Sequence, residues 1–240
     1  MEKVVIGADV RFTYLGHSGF MMVSPKGKTM LIDPWISGNP MSGMSLEEIT
    51  SADIILVTHG HGDHVGDSLE IAKTTGAQVI AMPEIIHYLS NRGLTDLVGM
   101  NKGGTFTSEG IHITMVHALH SSSIREGNQV IYGGDPAGFV VRFENGFSVY
   151  HAGDTDVFMD MKIIGDLYEP HVALLPIGSH YTMGPEGAVY ACRLIRPKYV
   201  IPMHFGTFPV LTGTPETFGE LMKEVPGTKV IPLKPGESAL

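Results

Sequence analysis

The chain is poor in cysteine, in basic residues and in long apolar runs. Its 240 residues include one cysteine, Cys192, which excludes an internal disulfide and fits a reducing cytoplasm. Cys192 lies among apolar residues of an expected helix and is read as structural. No apolar run approaches the roughly 20 residues that span a bilayer. The first residues, Met1-Glu-Lys-Val-Val-Ile-Gly7, carry neither a long apolar core nor an early small-residue cleavage site, so no signal peptide is read. Lys and Arg together number 16 against 25 Asp and Glu, a net charge of −9. That balance disfavours a long polyanion such as duplex DNA, which needs a basic footprint. A small anionic substrate stays open, because bound metals can supply local positive charge. No low-complexity linker or block of like charge divides the chain, and residues 1–240 read as one domain. Nothing in the composition opposes a homo-oligomer.

Histidine, by contrast, is plentiful: 12 of them against the 16 Lys and Arg. Four ligand-type residues fall within six positions of Thr58-His-Gly-His-Gly-Asp-His64, namely His59, His61, Asp63 and His64. The segment follows an apolar run, Asp53-Ile-Ile-Leu-Val57, that reads as a buried strand. If the backbone stays extended, residues two apart face the same way, so His59 and His61 address one point. Asp63 and His64 are neighbours, face differently and suit a second point nearby. Gly60 and Gly62 keep bulky side chains away. A lone histidine is usually structural, but this density of imidazole and carboxylate matches zinc or a similar divalent metal. Two adjacent metals are expected.

The rest of the chain reads as hairpins and alternating helices and strands, an α/β pattern. Strands are expected at 10–15, 19–24, 29–33, 54–57, 78–81, 111–116, 138–143, 147–150, 172–175, 199–201 and 229–231. Helices are expected at 66–75, 83–92, 155–167, 185–195 and 215–225. Thr214 is the expected N-cap of the last helix, and Ser45-Leu-Glu-Glu48 matches a capping box. A faint echo links a hairpin ending at Asp33 to one ending at Asp154. It suggests two similar β-β-α halves, with sheets face to face and helices outside.

Three further segments place ligand-type residues just past expected strand ends: His117-Ala-Leu-His120, His151-Ala-Gly-Asp154 and Ile201-Pro-Met-His204. With the first motif they resemble the metallo-β-lactamase superfamily. The likeness is closest to its metal-dependent hydrolase branch, which includes ascorbate-6-phosphate lactonase-like and N-acyl-phosphatidylethanolamine phospholipase-like proteins. Supporting phrases are Leu15-Gly-His-Ser-Gly-Phe20, Leu31-Ile-Asp-Pro-Trp35, Ala118-Leu-His-Ser-Ser-Ser123, Pro136-Ala-Gly-Phe139, Tyr181-Thr-Met-Gly-Pro185 and Pro202-Met-His-Phe-Gly-Thr-Phe208. The resemblance covers nearly the whole chain and implies a four-layer αββα sandwich with a dinuclear site at one edge of the sheets. It implies His59, His61 and His120 on one metal, Asp63, His64 and His204 on the other, and Asp154 between them. His120 is preferred over His117 because Ala-x-His-Ser-Ser is the usual form of that segment.

The expected cofactors are two divalent ions, zinc first, with manganese, nickel or iron fitting the same ligands. A hydroxide bridging the two would attack an ester, lactone or phosphodiester of a small or medium substrate. Asp63 is expected to orient this nucleophile as well as to bind metal. His180 is a candidate substrate-binding or leaving-group residue, with a surface or supporting role as the competing reading. His151 and Asp33 are candidates for orienting ligands. His17, in a Gly-His-Ser-Gly turn, is read as a turn residue that could line the pocket, and His87, His112 and His171 as structural or solvated.

Two other functions compete with hydrolysis of a small molecule. A nuclease or cyclic-nucleotide phosphodiesterase is opposed by the acidic charge and by the little room left for a nucleic-acid-binding domain. An iron-dependent redox protein would need a flavin or iron–sulfur partner, and one cysteine cannot hold such a cluster. A chain whose metals serve only its fold is a third reading, opposed by the full ligand set.

Overall fold

The computed structural model describes residues 6, 7 and 9–240; the N-terminal segment read above for a signal peptide lies largely outside them. The chain divides into two compact units. The first takes the described residues up to Asn101, then Ser121–Pro136 and Lys234–Leu240; the second takes Lys102–His120 and Ala137–Leu233.

The first unit is built on seven strands: β1 (Arg11–Gly16), β2 (Gly19–Val23), β3 (Thr29–Ile32), β4 (Ile54–Leu56), β5 (Gln78–Ala81), β6 (Leu97–Gly99) and β16 (Ser238–Ala239). Their order is β16-β1-β2-β3-β4-β5-β6. Pairing is antiparallel from β16 to β3 and parallel from β3 to β6. The switch is legible in composition. β4 is Ile-Ile-Leu, buried throughout, as a strand with parallel neighbours requires. β2 instead alternates buried and half-buried residues toward its end. Helices α1 (Gly62–Val65), α2 (Ser68–Thr75) and α3 (Pro83–Ser90) follow the parallel strands, and α3 opens on proline as expected. A separate hairpin, β9 (Ser123–Glu126) and β10 (Gln129–Tyr132), belongs to this unit.

The second unit repeats the plan. Its strands are β7 (Thr105–Ser108), β8 (Ile111–His117), β11 (Ala137–Arg142), β12 (Ser148–His151), β13 (Val172–Pro176), β14 (Tyr199–Met203) and β15 (Lys229–Val230). The order is β15-β14-β13-β12-β11-β8-β7, antiparallel from β7 to β12 and parallel from β12 to β15. Each unit thus runs from antiparallel hairpins into parallel strands, and the faint echo in the sequence is a real repeat of topology.

Three helices accompany this sheet: α4 (Met161–Tyr168), α5 (Pro185–Ile195) and α6 (Pro215–Met222). α5 matches its expected bounds because proline pre-sets its first turn and Arg196 closes it in the left-handed region at φ 59°. Its buried residues Ala188, Ala191, Cys192 and Ile195 recur at helical spacing and face one core with α4, where Gly165 lies against the Ile195 carbonyl. A Cβ at Gly165 would sit 2.6 Å from that oxygen, so glycine sets how closely the two helices approach. Thr214 caps α6 through the Thr217 amide, as expected.

Two expectations fail. The helix expected over 66–75 begins only at Ser68, as α2, and the short helix α1 precedes it; Gly66 lies between the two at φ 46°, where a Cβ would collide with the Pro34 carbonyl at 2.5 Å. The helix expected over 155–167 begins only at Met161. Residues 155–157 are held by other bonds: Thr155 Oγ1 accepts the Leu119 amide at 3.0 Å, and the Asp156 amide donates to the Leu119 carbonyl at 3.1 Å. Among the described residues no helix is long and apolar enough to cross a membrane.

Candidate metal centre

The first-motif histidines are not on an extension of β4. That strand stops at Leu56, residues 59–61 form a bend, and His61 is the N-cap of α1, with Asp63 and His64 inside the helix. The expected geometry of alternating residues is therefore replaced by a bend followed by one helical turn. The outcome for the first pair survives: His59 Nε2 lies 2.9 Å from His61 Nδ1. Two nitrogens on one tetrahedral zinc stand about 3.3 Å apart, given Zn–N bonds of about 2.05 Å. The pair is thus spaced to share one cation.

Asp33, just past β3, fixes the ring orientations. It is buried, with φ 47°, and its carboxylate accepts the Thr58 amide at 2.8 Å and the Thr58 hydroxyl at 2.6 Å. His64 Nδ1 lies 2.7 Å from the same carboxylate. A carboxylate only accepts, so His64 carries its proton on Nδ1, which puts the Nε2 lone pair on the ligating side. The Thr58 hydroxyl has spent its proton on Asp33 and lies 3.0 Å from His59 Nδ1. It therefore accepts from that nitrogen, and His59 also presents Nε2 as a lone pair. The role expected for Asp33 is present in the geometry, and it extends through Thr58 to a second histidine.

Gly60 has its own reason to be glycine. Its amide donates to Ser122 Oγ at 3.1 Å, and that hydroxyl donates to the Gly133 carbonyl at 3.0 Å. A Cβ at Gly60 would lie 2.9 Å from Ile124 Cγ1. The base of the β9–β10 hairpin is thus fitted onto the bend between His59 and His61.

The second unit brings three other expected ligands together. Asp154 Oδ2 lies 2.9 Å from His204 Nε2 and 3.7 Å from His120 Nε2. His120 is next to Leu119, and the bonds from Leu119 to Thr155 and Asp156 hold the two segments side by side. His204 follows β14 at φ 55°, a left-handed conformation uncommon outside glycine. Gly178 makes room for it: a Cβ there would sit 2.0 Å from the His204 carbonyl oxygen.

The remaining candidates separate. His117 ends β8, is solvent-exposed and sets its ring edge-on to Phe158 at 5.0 Å. His151 is buried and accepts the Gly153 amide through Nδ1 at 3.1 Å, which shapes the turn into Asp154. His180 lies in an exposed turn at φ 56°, with its ring against Tyr181 at 4.5 Å. His87, His112 and His171 bond to Asn91, Thr107 and Ser148. His17 departs from the expectation of a plain turn residue. It is fully buried, with Nε2 3.2 Å from Asp63 Oδ2. Ligand-type atoms of His17, Asp63 and His64 all lie within 4.8 Å of one another. The Gly-His-Ser-Gly context favoured a turn residue that could line the pocket, and the spacing from residue 17 to 63 carries no local pattern that could have joined it to Asp63.

In donor chemistry these residues fit divalent metal: imidazoles with fixed tautomers, carboxylates beside them, and an orienting carboxylate behind two of the rings. Comparison with known proteins agrees. The beta-lactamase superfamily domain profile matches residues 28–205. A UPF0173 metal-dependent hydrolase of Koribacter versatilis is 50% identical over 229 residues, covering 95% of this chain and 97% of its own. A UPF0173 metal-dependent hydrolase of Methanosarcina mazei is 51% identical, covering 96% of this chain and 98% of its own. The structure of a metallo hydrolase from Ignicoccus hospitalis superposes with TM-score 0.86 at 40% identity, covering 96% of this chain and 97% of that one. The chain therefore belongs to the UPF0173 metal-dependent hydrolases of the metallo-β-lactamase superfamily and has that superfamily's α/β fold with two large sheets.

Proposed function

We propose that the chain is a dinuclear hydrolase of a small or medium ester, lactone or phosphodiester. His59, His61 and His120 would hold one metal, and Asp63, His64 and His204 the other. Asp154 would bridge them. The observation that carries this reading is the position of Asp154: one carboxylate oxygen faces His120 and His204, one residue from each proposed set. The spacing of His59 and His61 supports the first set, and the Asp33 contact with His64 supports the second. Zinc is the preferred ion, and manganese, nickel and iron suit the same donors. The two units are read as one domain, because the chain passes between them four times. A cytoplasmic location fits the single buried cysteine.

When bound, the metals supply Lewis acidity and lower the pKa of a water. The chain's own residues do the rest. The Asp63 side chain is 25% exposed, against 0% for His17 beside it. It can accept a hydrogen bond from the attacking water and aim it at a carbonyl carbon or phosphorus. His180, exposed on its turn, is proposed to donate a proton to the leaving oxygen. Neither role needs a serine or cysteine nucleophile, and the buried Cys192 offers none.

The test is Asp63→Asn assayed against a panel of lactones, phosphodiesters and acyl esters. Hydrolysis is expected to fall by at least about 100-fold, with the circular dichroism spectrum retained. Unchanged turnover removes Asp63 from the mechanism. Activity confined to nucleic acid or cyclic nucleotides replaces the substrate class.

A further inference from the structure

His17 is held more firmly than a turn residue requires. It sits at φ 56° between Gly16 and Ser18, in the tight connection from β1 to β2. A Cβ at Gly16 would come within 2.4 Å of the Met41 carbonyl, and one at Gly19 within 3.0 Å of the Asp33 carbonyl, so the turn is packed on both sides. Tyr14, itself buried, donates its hydroxyl to the His17 carbonyl at 2.8 Å. The ring stands edge-on to Trp35 at 5.3 Å and to His64 at 5.7 Å. Side-chain rotation is thereby limited, and the constraint delivers Nε2 to 3.2 Å from Asp63 Oδ2. Strained backbone at a buried polar residue next to such donors is the pattern expected where conformation serves a site.

Two roles produce this distance. His17 could be a further ligand, or it could donate Nε2–H to Asp63 and fix that carboxylate. The neighbours favour the second. His64 and Asp63 already meet at this corner as adjacent residues of one helical turn. In the same unit Asp33 shows how ligands are oriented, each by a hydrogen bond from the far side of the ring. We propose that His17 is a positioning residue: from its place 3.2 Å away, its Nε2–H would be donated to Asp63 Oδ2 once metal is bound, turning the other oxygen of that carboxylate toward the metal and the attacking water. The proposal rests on the reading of Asp63 as a ligand.

Zinc uptake under chelator competition tests it, in the full chain and in His17→Ala and His17→Gln. His17→Ala is expected to weaken the second zinc by about 10- to 100-fold. His17→Gln, whose amide can donate from nearly the same place, is expected to recover most of the affinity. Equal losses in both variants would make His17 a ligand and overturn the proposal. Unchanged uptake in His17→Ala would also overturn it, while normal uptake by the unaltered chain left the proposed function standing. An unaltered chain that takes up no zinc would overturn both. Should His17→Ala fail to fold, nitrogen–proton correlation spectra of the zinc-loaded unaltered chain decide the matter. A proton on His17 Nε2 is the expected result, and its absence is contrary.

Discussion

Asp33 shows at the scale of one residue how the site is assembled. A buried carboxylate is costly unless its oxygens are satisfied, and this one accepts from the Thr58 amide, the Thr58 hydroxyl and His64 Nδ1. Those bonds select the tautomers of two histidines. At the other extreme, Cys192 is inert by the same physics. Burial pushes its thiol pKa up to about 12, leaving about one thiolate in ten thousand at pH 8. Iodoacetamide at that pH is expected to leave Cys192 unmodified in the native chain and to label it once guanidinium unfolds the protein. Rapid labelling of the native chain would contradict its burial. The proposed ligand residues of the first motif stood out in the sequence because no ordinary core or turn asks for His-x-His-x-Asp-His. Asp33 and His17 were less so. An acid at a strand end and a histidine between glycines each have a plain structural use, and only the fold brings them to His64 and Asp63.

Between elements, strand ends are fitted to one another by glycine and by side-chain bonds. The exit of β13 passes so near His204 that Gly178 has no room for a methyl group, its Cβ position being 2.0 Å from the His204 carbonyl. Gly178→Ala is expected to cost about 1–3 kcal/mol in denaturant unfolding and to weaken zinc uptake by displacing His204. An unchanged unfolding midpoint with full uptake would contradict this. The elements most legible in sequence were those with continuous apolar character or strong caps: β4, β13, α5 and α6. Propensity misled where side-chain bonds took priority. Residues 155–160 have a helical pattern, but Thr155 and Asp156 are bonded to Leu119, and the helix waits until Met161. The hairpin of β9 and β10 was missed because Ser123-Ile-Arg-Glu126 is mostly polar and Gln129-Val-Ile-Tyr132 is a short apolar run, neither with a strong alternation.

Taken whole, the molecule uses one plan twice. Each unit runs from antiparallel hairpins into parallel strands. Each carries residues of the proposed donor set just past its strands: His59, His61, Asp63 and His64 in the first, with Asp33 behind them, and His120, Asp154 and His204 in the second. The order of elements gave an α/β pattern and only a faint echo of the repeat, because topology follows from which segments are hairpins and which are buried strands joined by helices; the layered fold came from the family resemblance. The substrate could not be read, because in the proposed function these residues would govern the activation of water, and a fold shared by many chemistries does not choose its target. The central claim is that the two partial donor sets serve one pair of metals, and elemental analysis of the purified native chain tests it most directly. The account predicts about two divalent ions per chain, removed by chelator together with hydrolytic activity and restored on reloading. A folded chain with no bound or rebindable metal would contradict it.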